Sequence, residues 1–428
     1  MSRLDELIQE YCPNGVQFLA LSELFAIRNG YTPSKSNKEY WENGTVPWFR
    51  MEDIRENGRI LSDSLQHVSE KAVKGKLFPA NSIIVATSAT IGEHALITVD
   101  SLANQRFTYL MLKEQYKEKF NMKFLYYYCF KLDTYCLSCL NQGNFASVDV
   151  TKFSKFMFPL VPLEVQSEIV RILDNFTELT SKLTSELTAR QKQYEYYRDL
   201  LLTFGDIDKT IMTDRQTDRQ TDRQTDRQTD RQTDRQTRIT EIRKAVKWFE
   251  SVGHKKICEI ATISRGVRVV RSQLDAEGVY PVYQNSMTPL GYYEKSNCPE
   301  NTTFIIAAGA AGEIGYSRTE FWAADDCFYL ECPDDLNSRY VYYALLCQQQ
   351  YISSRVRRSS VPRLSRTDIE SVVVPVPPLE LQNRIVGILD RFDAICNDLT
   401  SGLPAEIEAR QKQYEYYRDK LLTFQSAE

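Results

Sequence analysis

The stretch from Ala189 to Phe204 reads ARQKQYEYYRDLLLTF, and Ala409 to Phe424 reads ARQKQYEYYRDKLLTF. Fifteen of the sixteen residues match, 220 positions apart. Upstream of each copy runs a weaker echo, FPLVPLEVQSEIVRILDNF (158–176) against VPVPPLELQNRIVGILDRF (374–392). The segments ahead of the echoes, 16–156 and 255–372, share landmarks but little sequence. The chain must therefore fold as two half-molecules, each a distinct globule followed by a near-identical long helix.

In the first helix, Pro162 suits the first helical position, where its missing N–H costs nothing, and Glu164 complements the helix dipole. Apolar residues recur at Ile169, Leu173, Phe176, Leu179, Leu183, Leu187, Tyr194, Tyr197, Leu201 and Phe204, with gaps alternating between three and four, Arg190 filling the one vacant place. The second helix repeats the seam through Ile385, Leu389, Phe392, Ile395, Leu399, Leu403, Ile407, Tyr414, Tyr417, Leu421 and Phe424. Such a heptad seam wants a partner helix. Two like surfaces pair most simply about a two-fold axis, which sets them antiparallel. Leu183, Leu187, Tyr194, Tyr197, Leu201, Leu399, Leu403, Tyr414, Tyr417 and Leu421 are the expected pairing residues, with the four tyrosines largely buried. A helix of about 40 residues is a rod of about 60 Å. The second copy is one four-residue unit longer, CNDL-TSGL-PAEI against TSKL-TSEL, and Gly402 with Pro404 should interrupt it.

Residues 213–236 are six perfect copies of TDRQ. With no apolar residue to bury, this tract reads as a solvated linker. The codons ACA-GAC-AGA-CAG encode Thr-Asp-Arg-Gln and are also the tetranucleotide ACAG repeated. Slippage by one unit would shift the downstream frame and delete the second globule. A phase-variable switch is therefore expected, and mixed codons in the gene would refute it.

Both globules read as mixed α+β units with a twisted sheet. The first runs through NSIIVAT (81–87), SATIGEHALI (88–97), NQRFTYLML (104–112), a helical stretch over 122–140 and the loop NQGNFASVDV (141–150). The second repeats the order through CEIATISRGVRV (258–269), VYPVYQNS (279–286), NTTFIIAAGAAGEIGYS (301–317), DDCFYLE (325–331), a helix over 338–356 and the loop RRSSVPRLSRTDI (357–369). Gly30 falls opposite Gly266, Pro47 opposite Pro281, and Ile91-Gly92 opposite Ile314-Gly315.

Composition bounds the rest. A 428-residue chain that is 42% hydrophobic and 26% charged suits two ordinary globular domains. No run of about 18 apolar residues is present, so no membrane span is expected. MSRLDELIQEYCPNG has no apolar h-region, and without a signal peptide the ten cysteines read as reduced thiols in the cytoplasm. A net charge of −4 disfavours a free-standing nucleic-acid binder. Yet Arg355, Arg357, Arg358, Arg363 and Arg366 form one acid-free cluster, and Arg265, Arg268 and Arg271 another.

The G-Y-T-P-S…Y-W…G-T-V-P-W opening (30–48), the V-P-L-E-x-Q and P-P-L-E-x-Q helix starts and the duplicated A-R-Q-K-Q-Y-E-Y-Y-R-D helix together resemble the specificity subunit of a Type I restriction–modification enzyme. The resemblance covers all but the TDRQ tract. It implies an α+β fold of two target recognition domains joined by two long antiparallel helices in a pseudo-two-fold coiled coil. The parts would be a first recognition domain (1–157), a central spacer helix (158–204), the TDRQ linker (205–240), a second recognition domain (241–373) and a C-terminal spacer helix (374–428). Each domain would read one half of a split duplex DNA target, about 34 Å apart if a helical turn separates them. The implied partners are double-stranded DNA, two modification subunits and the motor/nuclease restriction subunits. S-adenosylmethionine, ATP and Mg2+ would sit on those partners, and this chain would bind no cofactor and catalyse nothing itself. Four-residue units such as TSxL resemble the family's device for altering half-site separation.

Arg reads guanine, Asn and Gln read adenine, and Lys, Ser and Thr hold phosphates. The polar loops offer Lys35, Ser88, Thr90, Asn104, Gln105, Arg106, Gln142 and Asn144 in the first globule. The second offers Arg265, Arg268, Arg271, Gln284, Asn285, Arg357, Arg358 and Arg363.

Two other classes remain open. A fused methyltransferase or nuclease would need signatures that are missing: no GxxxxGK loop and no Asn-Pro-Pro-aromatic motif occur, and His67, His94 and His254 stand far apart in sequence. Cys136 and Cys139 form a CxxC on an apolar stretch without a second pair, which fits buried thiols better than zinc. A structural coiled-coil protein is the third class. S-adenosylmethionine binding by the isolated chain would single out the fused enzyme.

Overall fold

The computed structural model describes residues 3–141, 146–202, 252–274, 278–358, 360–398 and 400–427. Gln142, Asn144, Leu399, Phe204 and the TDRQ tract lie outside the described residues. The chain forms two compact units, Met1–Thr184 with Ile407–Glu428, and Ser185–Glu406.

Unit 1 contains β1 (Phe18–Ala20), β2 (Phe25–Asn29), β3 (Val46–Phe49), β4 (Ile60–Leu61), β5 (His67–Val68), β6 (Ser82–Ala86), β7 (His94–Ile97), β8 (Leu102–Ala103), β9 (Phe107–Leu112) and β10 (Met157–Pro159). Its helices of seven residues or more are α1 (Arg3–Tyr11), α2 (Met51–Asn57), α3 (Met122–Ser138) and α4 (Leu163–Leu202), which ends in unit 2. The main sheet runs β2-β9-β6-β7-β4, beside a smaller sheet β5-β3-β8. Every residue of β6 is buried because both faces of the sheet are covered. Ile83 and Val85 pack with α3 residues Phe124, Leu125 and Leu132. Ile84 and Ala86 point the other way, into a core with Trp48, Phe49 and Phe78. That alternation is the strand period of two.

Unit 2 contains β11 (Gly253–Lys256), β12 (Thr262–Arg265), β13 (Tyr280–Tyr283), β14 (Gly291–Tyr293), β15 (Thr302–Ile306), β16 (Ile314–Ser317), β17 (Trp322–Ala323), β18 (Cys327–Glu331) and β19 (Val373–Val376). Its helices α5 (Ser338–Cys347) and α6 (Gln349–Arg355) precede α7 (Leu379–Asn397), and α8 (Leu403–Leu421) passes into unit 1. The sheets are β12-β18-β15-β16 and β14-β13-β17. Ile84 faces Tyr109 across β6–β9 as Phe304 faces Tyr329 across β15–β18. The two units therefore share one α+β topology despite little shared sequence.

Three of the landmark pairings can be checked against the backbone. Gly30 N–H donates to Phe107 O and Gly266 N–H to Cys327 O, both at 2.9 Å. A Cβ at Gly30 would sit 2.3 Å from Asn104 O, and one at Gly266 2.1 Å from Ala324 O, so only glycine fits. Pro47 and Pro281 likewise occupy the same place in β3 and β13. The third pairing is corrected. Gly92 (φ +87°) stands opposite Gly312 (φ +89°), two residues before β7 and β16, where the turn needs a left-handed residue. Gly315 instead lies inside β16 under the Phe304 ring.

Each globule is bolted to its long helix by the same buried groups. Gln166 is fully buried; its Nε2 donates to Val161 O and Lys119 O, and its Oε1 accepts from Asn121 N. Gln382 repeats this with Pro377 O and Asn337 N. The glutamine of the L-E-x-Q start thus holds the loop before α3 or α5 against the helix. About two helical turns beyond Gln166, Asp174 accepts from Lys123 Nζ and Tyr127 Oη. Asp390 accepts from Arg339 Nε and Tyr343 Oη at the matching positions.

The helix pairing follows the two-fold expectation. In unit 1, Phe176 stacks on Tyr417 at 5.6 Å; in unit 2, Tyr197 stacks on Phe392 at 5.5 Å. These are the same two positions with roles exchanged, as an isologous antiparallel contact requires. Tyr194 and Leu201 are buried, Leu183, Leu187, Tyr197, Leu403, Tyr414 and Leu421 half-buried. The expectation that all four tyrosines are largely buried is corrected: Tyr417 keeps 36% of its surface. The seam is also open at Leu179 (38%) and Ile395 (43%).

The helix ends dock crosswise. The first motif copy belongs to unit 2 and the second to unit 1. Leu422 is fully buried in the unit 1 core, with Leu421 and Phe424 against it. Arg418 lies over the Phe130 ring of α3 at 4.4 Å. Leu201 and Leu202 join the unit 2 core instead. The second helix breaks between Asn397 and Leu403 as expected. Asp398 collects hydrogen bonds from Thr400 and Ser401, which hold its carboxyl well below the usual range. A Cβ at Gly402 would strike Ala394 O and Asp398 O at 2.6 Å. Pro162 and Pro378 stand just before their helices rather than in the first helical position. Among the described residues no helix is long and apolar enough to cross a membrane.

Candidate nucleic-acid interface

The close approach at Gly30 and Gly266 presses the strand-end loop of each unit onto the β8–β9 or β17–β18 turn. In unit 1 the turn is Asn104-Gln105-Arg106. Asn104 N donates to Phe49 O at 3.0 Å, and Asn104 Oδ1 accepts from Arg106 N at 2.9 Å. Thr32 Oγ1 donates to Gln105 Oε1, so the exposed amide has a fixed orientation. Trp48 Nε1 donates to Tyr31 O and Trp41 packs edge-on against Trp48, stiffening the opposite wall.

These groups surround a cleft of about 670 Å³ that also takes in Lys35, Lys38, Arg50, Glu52 and Gln66. Arg50 lies 5.8 Å from the Trp48 ring, and its buried Nε makes no hydrogen bond but faces Glu52 Oε2 at 3.9 Å. Four cations (Lys35, Lys38, Arg50, Arg106) against two acids (Glu42, Glu52) make the cleft positive. Fixed amides and guanidinium donors over aromatic walls are suited to base edges and phosphates.

In unit 2 the equivalent turn is Ala324-Asp325-Asp326. A smaller cleft of about 350 Å³ joins Arg265, Asp326, Arg363, Ser365 and Arg366. Arg265 Nε donates to Asp325 O at 2.7 Å, and Arg357 and Arg363 exchange backbone hydrogen bonds.

The structure brings together Lys35, Asn104, Gln105 and Arg106 in one cleft, and Arg265 with Arg363 in the other. Ser88 and Thr90 are half-buried, Ser88 bridging to Ser147 in a separate loop pair. Arg268, Arg271, Arg357, Arg358 and Asn285 are exposed and Gln284 half-buried, outside the Arg265 cleft. Sequence reasoning missed Thr32, Lys38, Trp41, Arg50 and Gln66, and in unit 2 Asp325 and Asp326; Arg366 was in the arginine cluster but not among the expected contacts. Arg50 had a signal: it directly follows the P-W-F of the opening motif.

Cys136 and Cys139 are both buried free thiols, and burial pushes Cys136 up to about 12. Among the described residues no cluster of three His, Cys, Asp or Glu side chains is placed to hold a metal.

Comparison with known proteins agrees with the duplication. The family model for the Type I restriction modification DNA specificity domain matches residues 13–190 and again 250–409. The Type I restriction enzyme EcoprrI specificity subunit of Escherichia coli is 39% identical over 404 residues, 90% of this chain and 89% of that protein. The crystal structure of the Type-I restriction-modification system S subunit from M. genitalium aligns over 95% of both chains with a TM-score of 0.55 and 16% identity. A chain from a structure of the type I R-M system covers 96% of this one with a TM-score of 0.56, again at 16% identity. Those two likenesses establish the fold, and the family match with the sequence relative establishes the lineage: the chain belongs to the Type I restriction modification DNA specificity domain family, which matches it twice.

Proposed function

We propose that this chain is the DNA-recognition subunit of a Type I restriction–modification enzyme, each unit binding one half of a bipartite duplex target. The observation that carries this is one topology used twice, with matching buried locks and dissimilar exposed clefts. A single binding surface would not need a second, chemically different copy. The chain supplies recognition and no catalysis; S-adenosylmethionine, ATP and Mg2+ belong to its partners, in the cytoplasm.

The duplicated helix faces support docking of two copies of one modification subunit. Tyr416 is 62% exposed, and Lys412 and Glu415 are exposed too. Lys192 and Glu195 are exposed at the matching positions, and two identical partners would account for the match. Frame-switching through the TDRQ-encoding repeat is a further part of this reading; the tract lies outside the described residues.

Mapping methylated adenine in cells with and without the gene tests the function, a bipartite motif vanishing with it. Exchanging residues 255–372 for those of another family member should alter only one half of that motif. An unchanged motif after the exchange would defeat the proposal.

A further inference from the structure

We infer that the β8–β9 and β17–β18 turns are the base-reading elements of the two halves, amide and guanidinium in unit 1 and carboxylate in unit 2. This rests on the recognition function proposed above and names the base chemistry that each half takes.

The two turns have the same backbone. Asn104 N donates to Phe49 O and Phe107 N to Asn104 O; Ala324 N donates to Tyr283 O and Cys327 N to Ala324 O. Each is pinned by its glycine, Gly30 or Gly266. On this common backbone the two central side chains differ in kind: Gln105-Arg106 in unit 1, Asp325-Asp326 in unit 2. Packing does not demand these residues, since Gln105 and Arg106 are exposed and Asp325 and Asp326 half-buried.

Unsatisfied atoms point the same way. Among the described residues four buried side-chain polar atoms make no hydrogen bond: Arg50 Nε, whose nearest acid is Glu52 at 3.9 Å, His94 Nε2, Asp133 Oδ1 and Asp325 Oδ1. His94 and Asp133 bond each other elsewhere, behind the sheet. The other two flank the turns, one in each unit: Arg50 directly follows the Phe49 that receives Asn104 N, and Asp325 is in the turn itself. A buried polar atom left unpaired is costly, and a ligand that pairs it recovers the loss.

The chemistry then separates the halves. Gln105, its oxygen already accepting from Thr32, keeps two N–H donors and a second lone pair, the donor-plus-acceptor set that matches adenine N7 and N6. Arg50 adds donors of the kind that guanine O6 and N7 accept. Asp325 has acceptors only and so calls for an exocyclic amino group; cytosine N4 suits it better than adenine N6, whose neighbouring N7 lone pair would repel the carboxylate. Arg265, bonded to the Asp325 carbonyl, offsets the repulsion between these carboxylates and phosphate. The first half-site should therefore carry a purine opposite the Gln105 turn, and the second a cytosine opposite Asp325.

Two isosteric changes test this in the full chain assembled with its methylating partner: Gln105→Glu and Asp325→Asn. The readout is selection from a duplex pool randomised over both half-sites, with thermal melting as the folding control. Each variant should shift preference at one position of its own half by about tenfold to a hundredfold, leaving the other half as in the parent. Gln105→Ala and Asp325→Ala, which remove the groups outright, should relax the same positions. Unchanged preference at every position, or a uniform loss on all duplexes with native melting, would overturn the inference. If exchanging residues 255–372 alters the second half while Asp325→Asn does not, only this inference falls. If the exchange alters nothing, the recognition function falls with it.

Discussion

Asp390→Ala is expected to destabilise unit 2 by about 3 kcal/mol, while Asp174→Ala at the equivalent place in unit 1 costs about 1 kcal/mol. Both carboxylates accept from a tyrosine on the globule helix and from a cation one turn before it. The difference lies in that cation. Arg339 retains 9% of its side-chain surface, donates to Asp390 and Asp393 at 2.8 Å and lies within 4.8 Å of the Tyr316, Tyr342 and Tyr343 ring centres. It cannot turn to water when a partner is removed, and a buried charge that loses its partner carries a large penalty. Asp393 retains one bond, which keeps the loss at the low end. Lys123 is 43% exposed and can extend into solvent, so unit 1 loses little beyond the Tyr127 hydroxyl's partner. Hydrogen exchange resolved over the two units measures both. Equal costs, or a loss under about 0.5 kcal/mol at Asp390, would show that the lock does not hold the globule to its helix. Pairing Arg339→Met with Asp390→Leu should recover most of the stability, since an apolar pair avoids desolvating the charges.

The frame of this fold was legible because duplication is a comparison internal to the chain. Gly30 with Gly266 could be matched across divergent sequence because a close backbone approach leaves no alternative to glycine. Ile91-Gly92 was matched to the wrong glycine for the converse reason. A dipeptide repeats easily by chance, whereas the constraint at Gly92 is a left-handed turn that sequence alone does not display. Heptad spacing announced a helix pair but not where its ends dock: Leu422 and Leu202 have near-identical surroundings in sequence and serve different cores. The clefts were half visible. Polar loop residues such as Gln105 and Arg265 stood out by type. Arg50 stands two residues past an opening motif rich in aromatic residues, its only signal, and Asp325 carries the charge opposite to the one sought for a DNA contact.

Crosswise docking leads to the second large effect. Tyr194→Ala, in a helix that directly follows the first globule, should destabilise unit 2 by about 3 kcal/mol and leave the first globule's α3 protected. Tyr194 is 8% exposed and sits in the core formed by Tyr340, Tyr343 and Leu389. Its counterpart Tyr414 is half-buried against the other core, beside Phe176 at 6.5 Å, and its loss should cost unit 1 about 1–2 kcal/mol. Replacing Tyr194, Tyr197, Tyr414 and Tyr417 together should cost several kcal/mol and abolish DNA binding. The diagnostic is which globule loosens. Hydrogen exchange after Tyr194→Ala should speed in 338–355 and 379–397 and stay slow in 122–138; after Tyr414→Ala the pattern should reverse. Deprotection of 122–138 by Tyr194→Ala would mean that each motif copy serves the globule preceding it in the chain. Either arrangement asks the two copies to fit matching faces, α3 in one unit and α5 in the other, so their near-identity does not decide between them and the exchange pattern does.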